Sequence, residues 1–315
     1  MYDNFIFSLG SALPIFLVML VGYILKQQKM IDESFISQAN KMIFNVALPI
    51  KLFSDVSKTS FSEGFDWAFI GFIIIGTIIS VLLSALVGFF AVKDPSKKGV
   101  FVQGAFRGNF LYVGYSLLEN VMGSIGAKAP LAIAFVIPLY NILGVMVLSY
   151  YNTSEKNGMN IKSVLINILK NPLILSIGAG FLFSSAGFEL PEIADRTFSY
   201  FGVLVTPMAL ITIGAAFKFD KVRESLAISL MASLLKLVIF PLIAVLIAIN
   251  LGFNAEEVLV IYIVFGVPTA AVSYIMAIVM KGDPDLASGI IMLTTLLSNI
   301  TMTLFIFYFR LIGIV

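Results

Sequence analysis

GVPTAAVSY, residues 266–274, stands in the middle of an apolar stretch that is otherwise long enough to cross a membrane as a helix. Gly266, Pro268, Thr269 and Ser273 are poor helix formers, and Pro268 also lacks the N–H that an interior helical turn needs. Unpaired backbone groups cost several kcal/mol each in hydrocarbon, so irregular backbone persists only beside protein or a water-filled cavity. The stretch therefore predicts either a buried functional site or a simple packing kink.

The composition predicts an all-α polytopic membrane protein. Of the 315 residues, 59% are hydrophobic and 12% are charged, and the mean hydropathy is +1.02. Soluble domains are about 45–50% apolar and about 25% charged. The apolar stretches are about 20 residues or longer, which favours helices over the strands of an outer-membrane barrel.

Two missing residue types exclude several classes of function. The chain has no Cys and no His, which excludes thiol catalysis and thiolate metal sites and removes the commonest metal ligand. We find no paired carboxylates within the apolar spans, so we expect no enzyme activity, no cofactor and no metal site. The net charge of +2 and the lack of a basic run give no indication of a nucleic-acid partner.

Ten membrane helices are predicted, over residues 5–25, 35–54, 67–92, 99–122, 128–151, 163–186, 197–217, 224–249, 255–280 and 286–311. Short polar connections join them. Eleven Lys and Arg residues fall in one set of alternate loops and four on the other side, which predicts that the first set is cytoplasmic. Both termini are then extracytoplasmic, because the number of spans is even.

An internal repeat relates the two halves of the chain. One offset of 158 residues separates four matching pairs: Pro14 and Pro172, Gly22 and Gly180, Pro49 and Pro207, and Asn141 and Asn299. Because five spans is an odd number, the second half enters the membrane from the opposite side, which is an inverted-topology repeat. We predict the first five-helix repeat over residues 1–155 and the second over residues 156–315.

The fourth span carries a counterpart of the interruption in the ninth. It reads FRGNFLYVGYSLLENVMG (106–123), in which the apolar pattern is broken by Arg107, Gly108, Asn109, Gly114 and Ser116. Ser116 and Ser273 are 157 residues apart, within one residue of the repeat offset. A broken helix exposes the N–H groups and the partial positive charge of a half-helix N-terminus. Two such breaks that face each other predict a mid-membrane site that favours an anion.

An ordered set of segments now indicates a family: NVALPIKLF (45–53), FRGNFLYVGYSL (106–117), IPLYNILGV (137–145), KNPLILSIGAGFL (170–182), VTPMALITIGAAF (205–217), KLVIFPL (236–242), VPTAAVSYIMA (267–277) and GDPDLASGIIMLTTLLS (282–298). Over essentially its whole length the chain resembles the auxin efflux carrier family, in particular its bacterial malate or malonate permeases. Ser116 falls where many members have Pro, and Ser273 falls where the plant carriers have a second Pro.

The resemblance implies a specific architecture. It divides the helices into a scaffold domain, made of the first, second, sixth and seventh, and a transport domain, made of the third to fifth and eighth to tenth. The broken fourth and ninth helices cross at mid-membrane, and organic anions bind beside the crossing. Transport in the family is elevator-like, and the resemblance also implies a homodimer.

The candidate substrate-binding residues are Asn109, Gly114, Tyr115, Ser116, Asn141, Pro268, Thr269, Ser273 and Asn299. By the resemblance, Asn109 matches the Asn of the fourth-helix motif, and Pro268 matches the first Pro of the ninth-helix motif. Asn141 and Asn299 either tie the broken backbone together or contact the ligand.

Intramembrane charges have alternative interpretations. Glu119 is either a candidate proton-coupling site or a carboxylate at the outer end of its span. Lys51 and Asp55 are spaced to form an ion pair. Lys236 is expected to be structural, with contact to the substrate as the alternative. Arg107 either draws anions toward the pathway or is a simple flank charge on the cytoplasmic side.

We therefore predict a secondary transporter of the auxin efflux carrier type in a bacterial plasma membrane. It would move a small organic anion, such as a mono- or dicarboxylate, by elevator-like alternating access. Two alternatives stay open, a sodium-coupled symporter of the bile-acid type and a non-transporting membrane sensor with a carrier fold. The expected partners are the anion, the lipid bilayer and a second copy of the chain.

Overall fold

A computed structural model describes residues 2–58, 66–123, 128–152, 166, 169–217, 220 and 224–314, without the side chains of residues 2–13, 15, 111, 112, 115, 116, 119, 120 and 152. All regular elements in this part of the chain are helical. In chain order the α-helices are α1 (Tyr2–Gln27), α2 (Glu33–Met42), α3 (Leu48–Ser57), α4 (Trp67–Ala91), α5 (Pro95–Phe106), α6 (Tyr115–Met122), α7 (Lys128–Asn152), α8 (Pro172–Ser185), α9 (Glu192–Ala216), α10 (Leu226–Leu234), α11 (Phe240–Asn250), α12 (Ala255–Gly266), α13 (Val272–Val279) and α14 (Pro284–Leu311).

Within the described residues, five helices are long and apolar enough to cross a membrane: Trp67–Ala91, Lys128–Tyr151, Glu192–Ala216, Leu226–Asn250 and Pro284–Leu311. Two further apolar helices, Phe16–Gln27 and Pro172–Ser185, are shorter. The multi-pass membrane class predicted from composition is therefore confirmed. The sixth predicted span, 163–186, extends into residues outside the described part, and its described helix begins at Pro172.

Polar side chains define where several of these helices begin. The Asp66 carboxylate accepts the N–H of Phe69 at 3.0 Å and caps α4. Asn171 caps α8 by accepting the N–H of Leu173, and Pro172 then occupies the first helical position, where its missing N–H has no cost. These caps fix the entry points of helices whose interiors carry few polar groups.

Three short π-helical turns interrupt the regular helices, at Ile43–Ala47, Phe110–Gly114 and Leu235–Ile239. Two of them are followed closely by a proline, Pro49 in α3 and Pro241 in α11. Proline removes a backbone donor and clashes with the preceding turn, and a wider π turn accommodates both effects. The third π turn adjoins an interruption described below.

Two glycine contacts bring helices from the two halves of the chain together. A Cβ atom on Gly22 of α1 would overlap the carbonyl oxygen of Ile211 in α9. A Cβ atom on Gly180 of α8 would lie 2.9 Å from the carbonyl oxygen of Phe53 in α3. The two glycines are 158 residues apart, and their partners Phe53 and Ile211 are also 158 residues apart. The same backbone contact is therefore made twice, with the roles of the halves exchanged.

The outer surface is apolar over wide areas. Phe90 and Leu82 of α4 are 76% and 62% exposed, and Leu304 of α14 is 60% exposed. Contiguous exposed apolar surface of this kind would be unfavourable in water and is expected against lipid. The buried part of the molecule is packed around α12, where every residue from Glu257 to Gly266 is buried.

Candidate functional site

Two helices are interrupted in the interior of the molecule. Helix α5 ends at Phe106, and the chain is extended at Arg107 before the π turn begins at Phe110. Helix α12 ends at Gly266, and the chain is extended at Val267 before α13 begins at Val272. We call these segments the first interruption (107–109) and the second interruption (267–271).

The two interruptions pair with each other through the backbone. Gly108 and Thr269 form an isolated antiparallel β-bridge. The N–H of Asn109 donates to the carbonyl oxygen of Pro268 at 2.8 Å. Each interruption therefore supplies hydrogen-bond partners that the other lacks, which is required of irregular backbone buried in an apolar environment.

Side chains satisfy the carbonyl ends of α5 and α12. The Lys236 ammonium donates to Phe106 O at 3.3 Å, to Val264 O at 3.1 Å and to Phe265 O at 3.0 Å. The Tyr140 hydroxyl also donates to Val264 O, at 2.7 Å. The carbonyl ends of both half-helices thus converge on one buried ammonium group.

Arg107 lies at the first interruption and is 5% exposed. Its Nη2 donates to Asn141 Oδ1 at 3.0 Å, and its Nη1 donates to Met276 Sδ at 2.7 Å. The interpretation of Arg107 as a flank charge on the cytoplasmic side is therefore wrong. Arg107 lies where α5 ends, and its guanidinium is in the interior.

A cavity of about 70 Å³ lies against both interruptions. Phe110 and Val272, where the helices resume, both line it, so two half-helix N-termini border the same space. Helices α3, α7 and α9 form the remaining walls. The lining residues are Leu48, Lys51, Leu52, Arg107, Gly108, Asn109, Phe110, Ile137, Tyr140, Asn141, Val205, Thr206, Ala270, Ala271 and Val272.

Two of the candidate substrate-binding residues line this cavity, Asn109 and Asn141. Asn141 is 1% exposed, and its amide also donates to Ile137 O at 2.8 Å. Asn299, the repeat mate of Asn141, is not among the lining residues. Its amide donates to Thr295 O and Leu296 O of its own helix.

Four other candidates lie in or next to the interruptions without lining the cavity. Pro268 contributes its carbonyl to the pairing, and Thr269 donates from Oγ1 to Gly104 O at 2.7 Å. Gly114 packs against Ile263, with 2.5 Å between its hypothetical Cβ and the Ile263 Cγ2. Ser273 is 3% exposed, and its hydroxyl has no hydrogen-bond partner within the described part.

Three predicted residues fall where side chains are not described. Tyr115, Ser116 and Glu119 belong to the backbone of α6, which begins at Tyr115. Their side chains lie outside the described residues, so the predicted substrate contacts of Tyr115 and Ser116 and the predicted proton coupling through Glu119 stay predictions.

Three ion pairs involve Lys51, which lines the cavity, and Lys128, at the start of α7. Lys51 and Asp55 pair at 2.7 Å within α3, as their spacing predicted. Lys128, at the start of α7, lies 2.5 Å from Asp66 and 2.5 Å from Glu257. The hydrogen bond from Lys128, together with that from the Phe69 N–H, lowers the pKa of Asp66 to about 2. This cluster ties the starts of α4, α7 and α12 together.

Sequence analysis named Arg107 and Lys236 as intramembrane charges but did not place them among the site residues, and it missed Tyr140. A basic residue in an apolar span is the signal for the two charged positions, whereas Tyr140 resembles an ordinary core aromatic residue. The sequence gives no indication of which carbonyl groups these side chains contact, because every residue carries one.

An apolar helical bundle with two paired interruptions, a buried arginine and an adjoining cavity has the features of a membrane transport protein. The chain matches the family described as Membrane transport protein over residues 7–306. It therefore belongs to that family, and the predicted relationship to the auxin efflux carriers is confirmed.

Relatives similar to this chain are also transporters by name. An "Uncharacterized transporter" of Methanothermobacter thermautotrophicus is 26% identical, over 95% of this chain and 98% of its own length. The "Uncharacterized transporter YfdV" of Escherichia coli K12 is 21% identical, over 86% and 88% of the two chains. A "Putative malonate transporter" of Rhizobium meliloti is 25% identical, over 96% and 95%.

Proposed function

We propose that this protein is a secondary transporter of a small organic anion, such as a mono- or dicarboxylate, which binds in the cavity beside the interruptions. The observation that carries the proposal is the burial of Arg107 at the edge of this cavity. The name of the Rhizobium meliloti relative, a malonate transporter, agrees with a compact carboxylate.

Arg107 has the contacts expected of a cation that receives an anionic ligand. Its observed acceptors are the neutral amide of Asn141 and the thioether of Met276, and a thioether is a weak acceptor. None of the described carboxylates forms an ion pair with it. A buried charge without a counter-charge is costly, and a bound carboxylate would supply that counter-charge with bidentate geometry.

The half-helix N-termini add to this preference. The helices that resume at Phe110 and Val272 both begin at the cavity, and a helix N-terminus carries a partial positive charge. Lys51 also lines the cavity, but its charge is paired with Asp55. Arg107 is therefore the side chain that we assign to the substrate carboxylate, with the Asn109 and Asn141 amides beside it.

The proposed architecture has ten membrane spans in two inverted five-helix repeats, residues 1–155 and 156–315. The exchanged contacts of Gly22 with Ile211 and of Gly180 with Phe53 support it, because an inverted repeat relates such contacts by a twofold axis. The fourth span, which contains α5 and α6, and the ninth span, which contains α12 and α13, cross at mid-membrane.

The proposed mechanism is elevator-like alternating access. Membrane spans three to five and eight to ten move as the transport domain against a scaffold of spans one, two, six and seven. The cavity supports this division, because it is lined by the two interruptions together with α3, which lies in the second span, and α9, which lies in the seventh. We further propose a homodimer in a bacterial plasma membrane, with both termini extracytoplasmic.

Counterflow in proteoliposomes tests the function. Vesicles that contain the purified protein are loaded with unlabelled malate or malonate and diluted into labelled substrate at matched pH without sodium. We expect the label to accumulate with the wild type and with Arg196→Gln, which removes an exposed charge. Arg107→Gln should weaken substrate binding by roughly tenfold or more, because hydrogen bonds to charged groups contribute about 1.5–3 kcal/mol.

Other outcomes distinguish the alternatives. Accumulation that requires sodium would support a symporter of the bile-acid type. Absence of accumulation with and without sodium, with both dicarboxylates and with a monocarboxylate, would contradict the anion transporter and favour a non-transporting sensor. Equal activity of Arg107→Gln and the wild type would remove Arg107 from the site.

A further inference from the structure

The interruptions create an electrostatic problem at the carbonyl ends of α5 and α12. A helix C-terminus carries a partial negative charge and leaves carbonyl groups without helical partners. Two such ends, at Phe106 and Gly266, meet in the buried interior, where their carbonyl groups need hydrogen-bond partners. A cation at this point would satisfy both ends at once.

Lys236 occupies this position. Its side chain is buried, with 1% of its surface exposed. Its Nζ reaches one carbonyl of α5, Phe106 O, and two carbonyls of α12, Val264 O and Phe265 O, at 3.0–3.3 Å. An ammonium group has three N–H donors, which match three acceptors. The amine is therefore held by three backbone oxygens that belong to the two interrupted helices.

The chemistry around Lys236 differs from that around Arg107. No carboxylate of the described residues lies within ion-pair distance of Lys236. Lys236 also does not line the cavity, whereas Arg107 does. Lys236 belongs to the π turn Leu235–Ile239, which precedes Pro241. Backbone carbonyls, and not a substrate or a side chain, therefore compensate its charge.

We propose that Lys236 is a positioning residue whose ammonium group serves as a built-in cation, joining the carbonyl ends of both interrupted helices in place of a bound metal cation. The inference rests on the proposed function in one respect, that the substrate site lies beside the two interruptions. With the amine in place, the carbonyl cluster has no vacancy for sodium or potassium. The wild-type protein is therefore stable, and binds its substrate, without alkali cations.

Chemical rescue tests this role. Lys236→Ala removes three methylene groups and the amine, and propylammonium contains the same atoms. Thermal unfolding of the purified protein is measured without substrate, at constant ionic strength, in sodium, potassium, choline, propylammonium or tetramethylammonium chloride. We expect the wild type to melt equally in the sodium, potassium and choline salts. Lys236→Ala should melt lower by about 5 °C or more, and propylammonium should restore most of that loss.

Matched variants separate this role from simple core packing. Lys236→Met fills the space with an apolar side chain, so it should melt low and respond to no amine. Tetramethylammonium has no N–H group and should rescue neither variant. Lys41→Ala, which truncates an exposed lysine on α2, should resemble the wild type in every salt. Substrate affinity of Lys236→Ala should recover together with its melting temperature when propylammonium is added.

Several results would overturn the proposal. One is a Lys236→Met variant that is as stable as the wild type, and another is equal rescue of Lys236→Ala by propylammonium and tetramethylammonium. A third is a melting temperature of the wild type that rises specifically with sodium or potassium. If folded Lys236→Ala protein is obtained only when propylammonium is present during purification, the proposal is supported. If no folded protein is obtained either with or without propylammonium, the result counts against the proposal. Because unfolding requires no substrate, failed counterflow with intact amine rescue would refute the proposed substrate and not the role of Lys236.

Discussion

The N–H of Asn109 donates to the carbonyl oxygen of Pro268 across 2.8 Å and joins two helices that are distant in the sequence. Pro268 has no N–H of its own, so its peptide can contribute only an acceptor to the pairing. Asn109 follows Gly108, which forms the adjacent bridge with Thr269. The interruptions in the two halves are therefore complementary parts of one structure, and changes in either should affect both.

Gly108→Ala should destabilise the pairing of the interruptions. A Cβ atom at this position would lie 2.9 Å from Val267 Cγ2, 3.0 Å from Lys236 Nζ and 3.2 Å from Val264 O. Overpacking of this kind costs about 1–3 kcal/mol. Thermal unfolding of the purified variant measures the loss. Gly71→Ala is the control, because a Cβ atom there meets nothing within 4 Å. Equal melting temperatures for the two variants would contradict the close approach.

Gly214→Ala should separate α9 from α1. A Cβ atom on Gly214 would overlap the carbonyl oxygen of Met19, which is backbone and cannot rotate away. We expect a larger loss of stability than for Gly108→Ala, together with poor recovery of monodisperse protein in size-exclusion chromatography. Gly178→Ala, with open space around its Cβ position, should behave as the wild type. Normal recovery and stability of Gly214→Ala would show that these helices do not touch.

Thr269→Val should leave a buried carbonyl without its partner. The Thr269 hydroxyl donates to Gly104 O at 2.7 Å in the last turn of α5. Valine keeps the shape and removes the donor, so we expect a loss of about 1–3 kcal/mol in the free energy of unfolding. Thr269→Ser retains the hydroxyl and should recover most of it. A chemical-denaturation series on the three proteins makes the comparison, and equal stability of the Val and Ser variants would rule out this hydrogen bond.

Asp66 should make stability depend on pH in the acid range. Because Lys128 holds the pKa of Asp66 at about 2, the folded state gains stability from the ionised carboxylate. That contribution is complete above the unfolded pKa of about 4 and is lost as the pH falls toward 2. Asp66→Asn keeps a residue that can cap α4 but removes the charge, so its melting temperature should fall less between neutral pH and about pH 3.

The control for Asp66 is Asp94→Asn, at the cap of α5. Asp94 is exposed, and its carboxylate accepts from Ser96 N and Ser96 Oγ. The Asp94→Asn variant removes a capping carboxylate that forms no ion pair within the described residues, so it controls for the loss of a cap charge alone. An identical pH dependence of Asp66→Asn and the wild type would contradict the coupling of Asp66 to Lys128.

The sequence predicted the second interruption more accurately than the first. Gly266 and Pro268 lie where α12 ends, because glycine and proline act locally on the backbone. In the first interruption the sequence signals are spread from Arg107 to Ser116, but only residues 107–109 leave the helical path. Gly114 belongs to the π turn and packs against Ile263, a partner that no local signal indicates.

The repeat was visible in the sequence because it depends on residue types at a fixed spacing. Gly22 and Gly180 stood out as small residues separated by 158 positions. Their partners, Ile211 and Phe53, have the same spacing but different side chains, so nothing in the residue types pairs them. The contacts use the backbone oxygens of these residues, and a contact to a backbone oxygen does not require a particular side chain.

By itself, the amino-acid sequence determined the membrane class, the all-helical class, the 158-residue spacing of matching residues and the position of the second interruption. These follow from apolar content and from residues that act on their own backbone. Only the tertiary structure decided that Arg107 is buried at the cavity and that Lys236 joins Phe106 to Val264 and Phe265. The reason is physical: carbonyl oxygens are present on every residue, and the packing of distant helices selects those that a buried cation meets.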